Sequence, residues 1–201
     1  MLPQCGNSAT SKVNPQEARL SVAIVRLFIE GGAPAQSLGV IAMYSAQVSL
    51  IRSLLDAASL QDVAVLSVDA SQGKEYEFIV LSFVRVGAKA TFIAIPNRLN
   101  VALTRARSGL VLLGHAPTLL HAPLTTRLLQ HLDGHSSVFK GGLSAFPNPP
   151  RYPISAASSE TTTLSAHLPF YEPPAPSLTV FLLVFHPAER GTLQQLRFAR
   201  S

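Results

Sequence analysis

Two stretches of this 201-residue chain concentrate side chains suited to a phosphate or a sugar. The first is Val68-Asp69-Ala70-Ser71-Gln72-Gly73-Lys74-Glu75-Tyr76-Glu77, set between two apolar runs. A glycine in a loop at the end of a parallel strand lets a ligand approach the backbone closely, at the edge where α/β sheets bind ligands. Glu75 beside it suits a hydrogen bond from a ribose hydroxyl. A solvated turn explains the same residues without any ligand. The second stretch is Arg98-Leu99-Asn100-Val101-Ala102-Leu103-Thr104-Arg105-Ala106-Arg107. At 3.6 residues per turn, Arg98 and Arg105 point within about 20° of each other, beside an apolar stripe of Leu99, Ala102, Leu103 and Ala106. Arg107 points roughly the opposite way. Guanidinium groups there suit a bidentate hold on a phosphate and offset charge developing in phosphoryl transfer. Surface arginines lying along a packed helix are the plain alternative.

The elements that would carry these residues are legible up to about residue 115. Asn14-Pro15-Gln16-Glu17 opens a helix, with Asn as the cap, Pro at the first helical position and Glu at the third. Ala18, Val22, Val25 and Ile29 recur at helical spacing, and Gly31-Gly32 ends the run. Leu38–Ala42 reads as a short strand and Ser45–Ser59 as a second helix, with Val48, Ile51, Leu55 and Ala58 on one face. Further strands are expected over Val63–Val68, Phe78–Val84 and Leu110–Leu113, with a helix over Asn97–Arg107 between the last two. The strands are almost continuously apolar, as in a parallel sheet covered on both faces. Alternating helices and strands predict an α/β layered domain.

Composition sets outer limits. Apolar residues make up 47% of the chain, enough for a core, and the longest apolar run, Leu178–Phe185, falls well short of a membrane helix. No membrane partner is therefore expected. The single cysteine, Cys5, excludes a disulfide framework or a multi-Cys metal site, and the first residues lack a secretory pattern. An intracellular setting, cytoplasmic or nuclear, is the expectation. The formal charge of +5 is compatible with a polyanionic partner. Ten of the fifteen prolines follow residue 120. The expected organisation is a remnant over 1–12, a domain over 13–143, and a Pro/Ser-rich tail over 144–201 that is mostly disordered or irregular.

Taken in order, four blocks resemble the superfamily 1 helicases. They are S-x-x-N-x-x-E-A (Ser11, Asn14, Glu17, Ala18), L-G-V-I-A-M-Y-S-A-Q (38–47), the V-D-A-S-Q-G-K-E-Y-E-F-I-V-L-S-F-V-R run (68–85), and R-L-N-V-A-L-T-R-A-R (98–107) followed by V-L-L-G (111–114). The nearest resemblance is to the nonsense-mediated-decay and senataxin-like group, over about residues 8–143, with Leu128-Leu129-Gln130 in the closing helix. The resemblance implies the second RecA-like domain, of the P-loop NTPase type, of an ATP-driven motor on single-stranded RNA or DNA. It implies ATP with Mg²⁺ as cofactor, the metal being held by a first RecA-like domain, which would be the partner across the cleft. Residues 38–47 are similar to helicase motif IV, with Tyr44 and Gln47 toward the nucleic acid and Ala42-Met43 where the family has Thr-Pro. Residues 68–77 are similar to motif V. There Gly73 and Glu75 would sit at the nucleotide, and Asp69, Ser71 and Gln72 between nucleotide and nucleic acid. Residues 98–107 are similar to motif VI, with Arg105 as the arginine finger on the γ-phosphate and Arg98 as a further ATP contact. Asn97 stands where the family often has another Arg.

Several expected parts are absent from these residues. No G-x-x-x-x-G-K-[ST] occurs; Gly6–Val13 has Ser11 and Val13 at positions where the motif needs Gly and Ser/Thr. Val65–Asp69 imitates a Walker B ending without the following acidic residue, and no QYRMHP-like segment occurs. The chain therefore reads as one wall of an ATP cleft, expected to have little or no ATPase activity alone. A catalytically inactive, helicase-derived module for binding nucleic acid or protein is the rival reading. His131 and His135 do not amount to a metal site, Gly142–Phe146 is half a nucleophile elbow, and Tyr44 and Phe83 are candidates for base stacking or for core.

Overall fold

The computed structural model describes residues 12–86, 95–134, 138–140 and 179–184. Cys5, the Gly6–Val13 string up to residue 11, His135, Gly142–Phe146 and most of the 144–201 tail lie outside these residues.

Helix α1 (Pro15–Glu30) begins as the sequence predicts, since Asn14 accepts a hydrogen bond from the Glu17 amide at 3.1 Å and Pro15 opens the first turn. The expected return bond from Glu17 to the Asn14 amide is not made. That amide donates to Gln47 Oε1 at 2.8 Å, and the Glu17 carboxyl goes elsewhere. Strand β1 (Leu38–Ala42) is buried at every residue, and α2 (Ser45–Ala57) follows it. Then come β2 (Ala64–Ser67), β3 (Tyr76–Ser82), α3 (Pro96–Leu103), β4 (Ala106–Gly114), α4 (Ala116–Leu119), α5 (Pro123–Gly134), β5 (Val138–Lys140) and β6 (Thr179–Val184).

The sheet order is β2-β1-β3-β4-β6-β5. The first four strands are parallel, in the RecA-like α/β arrangement, and β6 runs antiparallel to β4 and to β5. The apolar run at 178–185, which by itself suits either a strand or a docking segment, holds the strand β6 beside β4.

Alternate strand residues face opposite layers. Val40, Val80, Val111 and Leu113 meet Leu20, Ile24 and Phe28 of α1 and Ile51 and Leu55 of α2. Ile41, Ile79, Leu81, Leu110 and Leu112 meet Leu99 and Ala102 of α3 and Leu128 and Leu132 of α5. Burial on both faces is why the strands read as unbroken apolar runs. Gly39 is required by close approach, because a Cβ there would lie 2.8 Å from Ile79 Cδ1.

The helix expected over Asn97–Arg107 is shorter. It ends at Leu103, where the Thr104 hydroxyl bonds back to the Asn100 carbonyl at 2.9 Å. The backbone is then captured by the sheet, with the Tyr76 amide donating to the Arg105 carbonyl and Tyr76 paired with Ala106. Arg107 is therefore a strand residue. Among the described residues no helix is long and apolar enough to cross a membrane.

Candidate functional site

The connection from β2 to β3 carries the first chemical stretch from one edge of the sheet to the other. It leaves β2 through a 3-10 turn, Asp69–Ser71, in which the Ser71 hydroxyl donates to the Val68 carbonyl at 2.7 Å. It then passes through Gly73 at φ +78°. Nothing lies within 4 Å of where a Cβ would stand on Gly73, so the glycine is needed for its backbone conformation and leaves open space beside it.

Arg105 follows α3 directly and is fixed by three hydrogen bonds. Its Nε donates to the Val101 carbonyl at 3.0 Å, Nη2 to the Thr104 hydroxyl at 3.0 Å, and Nη1 to the Lys74 carbonyl at 3.2 Å. The last bond puts the guanidinium against the peptide between Gly73 and Glu75. Glu75 in turn accepts from Arg107 Nε at 3.0 Å, and Arg107 also lies 3.9 Å from Glu77. Gly73, Glu75, Arg105 and Arg107 thus form one group where β3 and β4 begin.

Arg98 belongs to a different group. It lies in the first turn of α3, seven residues before Arg105, and its Nη1 pairs with Asp69 Oδ2 at 2.9 Å. Sharing a helix azimuth does not bring two side chains together when the helix runs from one sheet edge to the other. Arg98 and Asp69 sit near the end of β2, with Tyr44 at the end of β1. Burial raises the Tyr44 phenol above its ordinary pKa, and the positive charges of Arg85 and Arg98 oppose that shift.

Two residues expected at a nucleic-acid track are fully buried. Ser71 is held inside its own turn. Gln47 accepts from the Asn14 amide and donates to the Asn14 carbonyl at 3.0 Å and to Ser82 Oγ at 3.2 Å. Tyr44 is largely buried, whereas Asp69, Gln72, Gly73 and Glu75 are exposed. Phe83 and Met43 are core residues.

Sequence reasoning missed a buried polar network around Glu17. Its Oε2 accepts from Ser82 Oγ at 2.6 Å and from the Val84 amide at 2.8 Å, and its Oε1 accepts from Asn14 Nδ2 at 3.2 Å. Burial pushes its pKa up to about 7, against the hydrogen bonds from Ser82, Val84 and Phe83 that favour the ionised form. A helical wheel held the signal, because Glu17 falls on the face of Ala18, Ser21, Ile24 and Phe28 that the sheet covers.

Among the described residues no cluster of three or more His, Cys, Asp or Glu that could hold a metal ion occurs.

This fold defines a RecA-like α/β domain. A family model for the AAA domain matches residues 3–117. Regulator of nonsense transcripts 1 of Dictyostelium discoideum is 35% identical over 155 residues, which cover 73% of this chain and 12% of that protein. Its homolog in Neurospora crassa is 39% identical over 145 residues, 68% of this chain and 13% of that protein. A DNA replication ATP-dependent helicase/nuclease of Bos taurus is 38% identical over 128 residues, 62% of this chain and 12% of that protein. The chain belongs to this AAA domain family, within the superfamily 1 helicases. It matches only about an eighth of the length of these relatives.

Proposed function

We propose that this chain works as the second RecA-like lobe of an ATP-driven helicase motor, closing over a nucleotide that a first lobe grips. Arg105 is the arginine finger to the γ-phosphate, Glu75 meets the ribose, and Gly73 gives the backbone room to approach. Asp69, Arg98 and Tyr44, near the ends of β2 and β1, face the single strand, with Gln72 on the connection between the two groups. RNA and DNA both remain open as the strand, matching the relatives named above.

The observation that carries this reading is the hydrogen bond from Arg105 Nη1 to the Lys74 carbonyl. It brings the two chemical stretches, thirty residues apart, to one edge with their charged ends outward. An arginine finger suits that arrangement: the guanidinium is held in place by hydrogen bonds that it exchanges for a phosphate when the cleft closes. Bound ATP with Mg²⁺ supplies the reacting phosphate and its charge neutralisation. This chain supplies orientation and one positive charge.

The test is a chimera in which residues 13–134 replace the matching segment of Regulator of nonsense transcripts 1 of Dictyostelium discoideum. ATP turnover is expected to survive the exchange and to fall by about 10³-fold or more on Arg105→Ala. Equal turnover with and without Arg105 overturns the finger assignment. Purified residues 1–201 are expected to show no Mg²⁺-dependent turnover, and to bind a labelled single strand with an affinity that falls as salt rises. Salt-independent binding, or none, removes the nucleic acid from the reading.

A further inference from the structure

Val84 is the most unusual backbone position in the described chain. It is a β-branched residue at φ +72°, a conformation such side chains rarely adopt. The Arg85 amide donates to the Phe83 carbonyl at 2.8 Å across it. A hydrogen bond spanning one residue of positive φ is a γ-turn of the strained hand. It reverses the chain two residues after β3 ends and sets the direction of Arg85.

Both polar groups of the Val84 backbone are held by side chains from the first turn of α1. The amide donates to Glu17 Oε2 at 2.8 Å, and the carbonyl accepts from Asn14 Nδ2 at 3.3 Å. Glu17 and Asn14 are themselves joined, and Gln47 and Ser82 close the network from α2 and β3. Four of the bonds run toward the carboxylate. Gln47 Nε2 donates to Ser82 Oγ, Ser82 Oγ donates to Glu17, and Val84 and Asn14 donate to Glu17. Glu17, Ser82 and Gln47 are fully buried, so no water competes for these bonds.

We propose that Glu17 is a positioning residue: its carboxylate, with Asn14, clamps Val84 in the left-handed turn and so aims Arg85 at the edge that carries Tyr44. The clamp itself rests only on the geometry above. Its bearing on strand binding rests on the reading of that edge as strand-facing.

The clamp is built for an acceptor. A proton on Glu17 puts a fourth donor among three existing ones, so one of the bonds to Ser82, Val84 or Asn14 must let go. The groups that face the carboxyl are Asn14 before α1, Ser82 at the end of β3, Phe83 and Val84 just after it, and Gln47 of α2 through Ser82. None of these is charged, and the upward shift arises from burial alone. The turn therefore responds to pH through this one group.

The experiment uses the whole 201-residue chain, with NMR of the Glu17 side-chain carboxyl and of the Val84 and Arg85 amides between pH 5 and 9. The expected result is one shared midpoint near 7 for all three signals in the wild type. In Glu17→Gln the amides should be flat across the range, with hydrogen exchange at Val84 faster by about tenfold or more, since bonds to a charged acceptor are the stronger kind. Val84→Gly, which adopts the turn without help, should make Arg85 exchange insensitive to residue 17. Val84 and Arg85 amides that do not follow the Glu17 carboxyl in the wild type overturn the proposal. So does a titration of those amides that persists unchanged in Glu17→Gln. Should Glu17→Gln fail to fold, the wild-type titration and Asn14→Ala, which removes the carbonyl half of the clamp, decide the matter. Single-strand affinity of the same proteins is measured separately. A wild type that binds no strand refutes the strand-facing edge and leaves the clamp result standing.

Discussion

The buried carboxyl of Glu17 makes a quantitative prediction about stability. Its pKa in the folded chain is about 7, against an ordinary value of 4.5. A raised carboxyl pKa means that the folded state holds the proton more tightly than the unfolded state. Stability is then greatest below about pH 4.5, falls as pH rises toward 7, and levels off above that. A shift of this size corresponds to about 3 kcal/mol, at 1.36 kcal/mol per unit. The assay is urea unfolding of wild type and Glu17→Gln at half-unit steps from pH 4 to 8.5. All other titrating groups act on both proteins, so the difference between the two curves isolates this site. Relative to wild type, the Gln variant should gain about 3 kcal/mol on going from pH 4.5 to 8. A difference that stays constant across that range refutes both the desolvated carboxyl and the reasoning about its neighbours.

Three further outcomes follow from the same coordinates. At Val84 the usual order of alanine and glycine should reverse: Val84→Gly should be about 1–2 kcal/mol more stable than Val84→Ala by urea midpoint, since only glycine adopts positive φ without strain. At Gly73, with φ +78° and open space around it, Gly73→Ala should lose about 1 kcal/mol or more through backbone strain alone. Gly73→Asn should lose less, because asparagine tolerates that region better. Arg107→Ala should cost under about 1 kcal/mol in thermal unfolding, because Arg107 and Glu75 are each about half exposed and water screens their attraction.

The strands of the core were legible because each is buried on two faces, which leaves an apolar run that no turn or surface helix imitates. β1 was predicted at its observed limits for that reason. The end of the third helix was not legible. Arg98 to Arg107 keeps an apolar stripe at helical spacing, but pairing of Tyr76 with Ala106 in the sheet outweighs the local preference and pulls Arg105 and Arg107 out of the helix. The same error grouped Arg98 with Arg105. Azimuth is read from spacing, whereas the edge of the sheet that a residue reaches depends on where the helix starts. The motif resemblance points Gln47 and Ser71 toward the nucleic acid, whereas both turn their polar atoms inward. Strand β6 was hidden because its partner β4 lies some seventy residues earlier, and an eight-residue apolar run does not name its neighbour.

That a carboxylate should be buried at a cost of about 3 kcal/mol becomes reasonable once its partners are considered. A leucine at position 17 would remove the cost of charge, yet it would leave the buried Val84 amide and Ser82 hydroxyl, and one hydrogen of the half-buried Asn14 amide, without their acceptor. Each orphaned donor costs about 1–3 kcal/mol, so three of them outweigh the penalty of the charge. Glutamine keeps one acceptor oxygen but turns its Nε2 donors toward Asn14 Nδ2 or Ser82. The expected order of stability at pH 8, where the wild type is ionised, is therefore Glu17→Leu below Glu17→Gln. Urea unfolding at that pH measures it directly. A leucine variant as stable as the glutamine variant would mean that the donors find other partners, and that the network around Val84 is not held together by its acceptor.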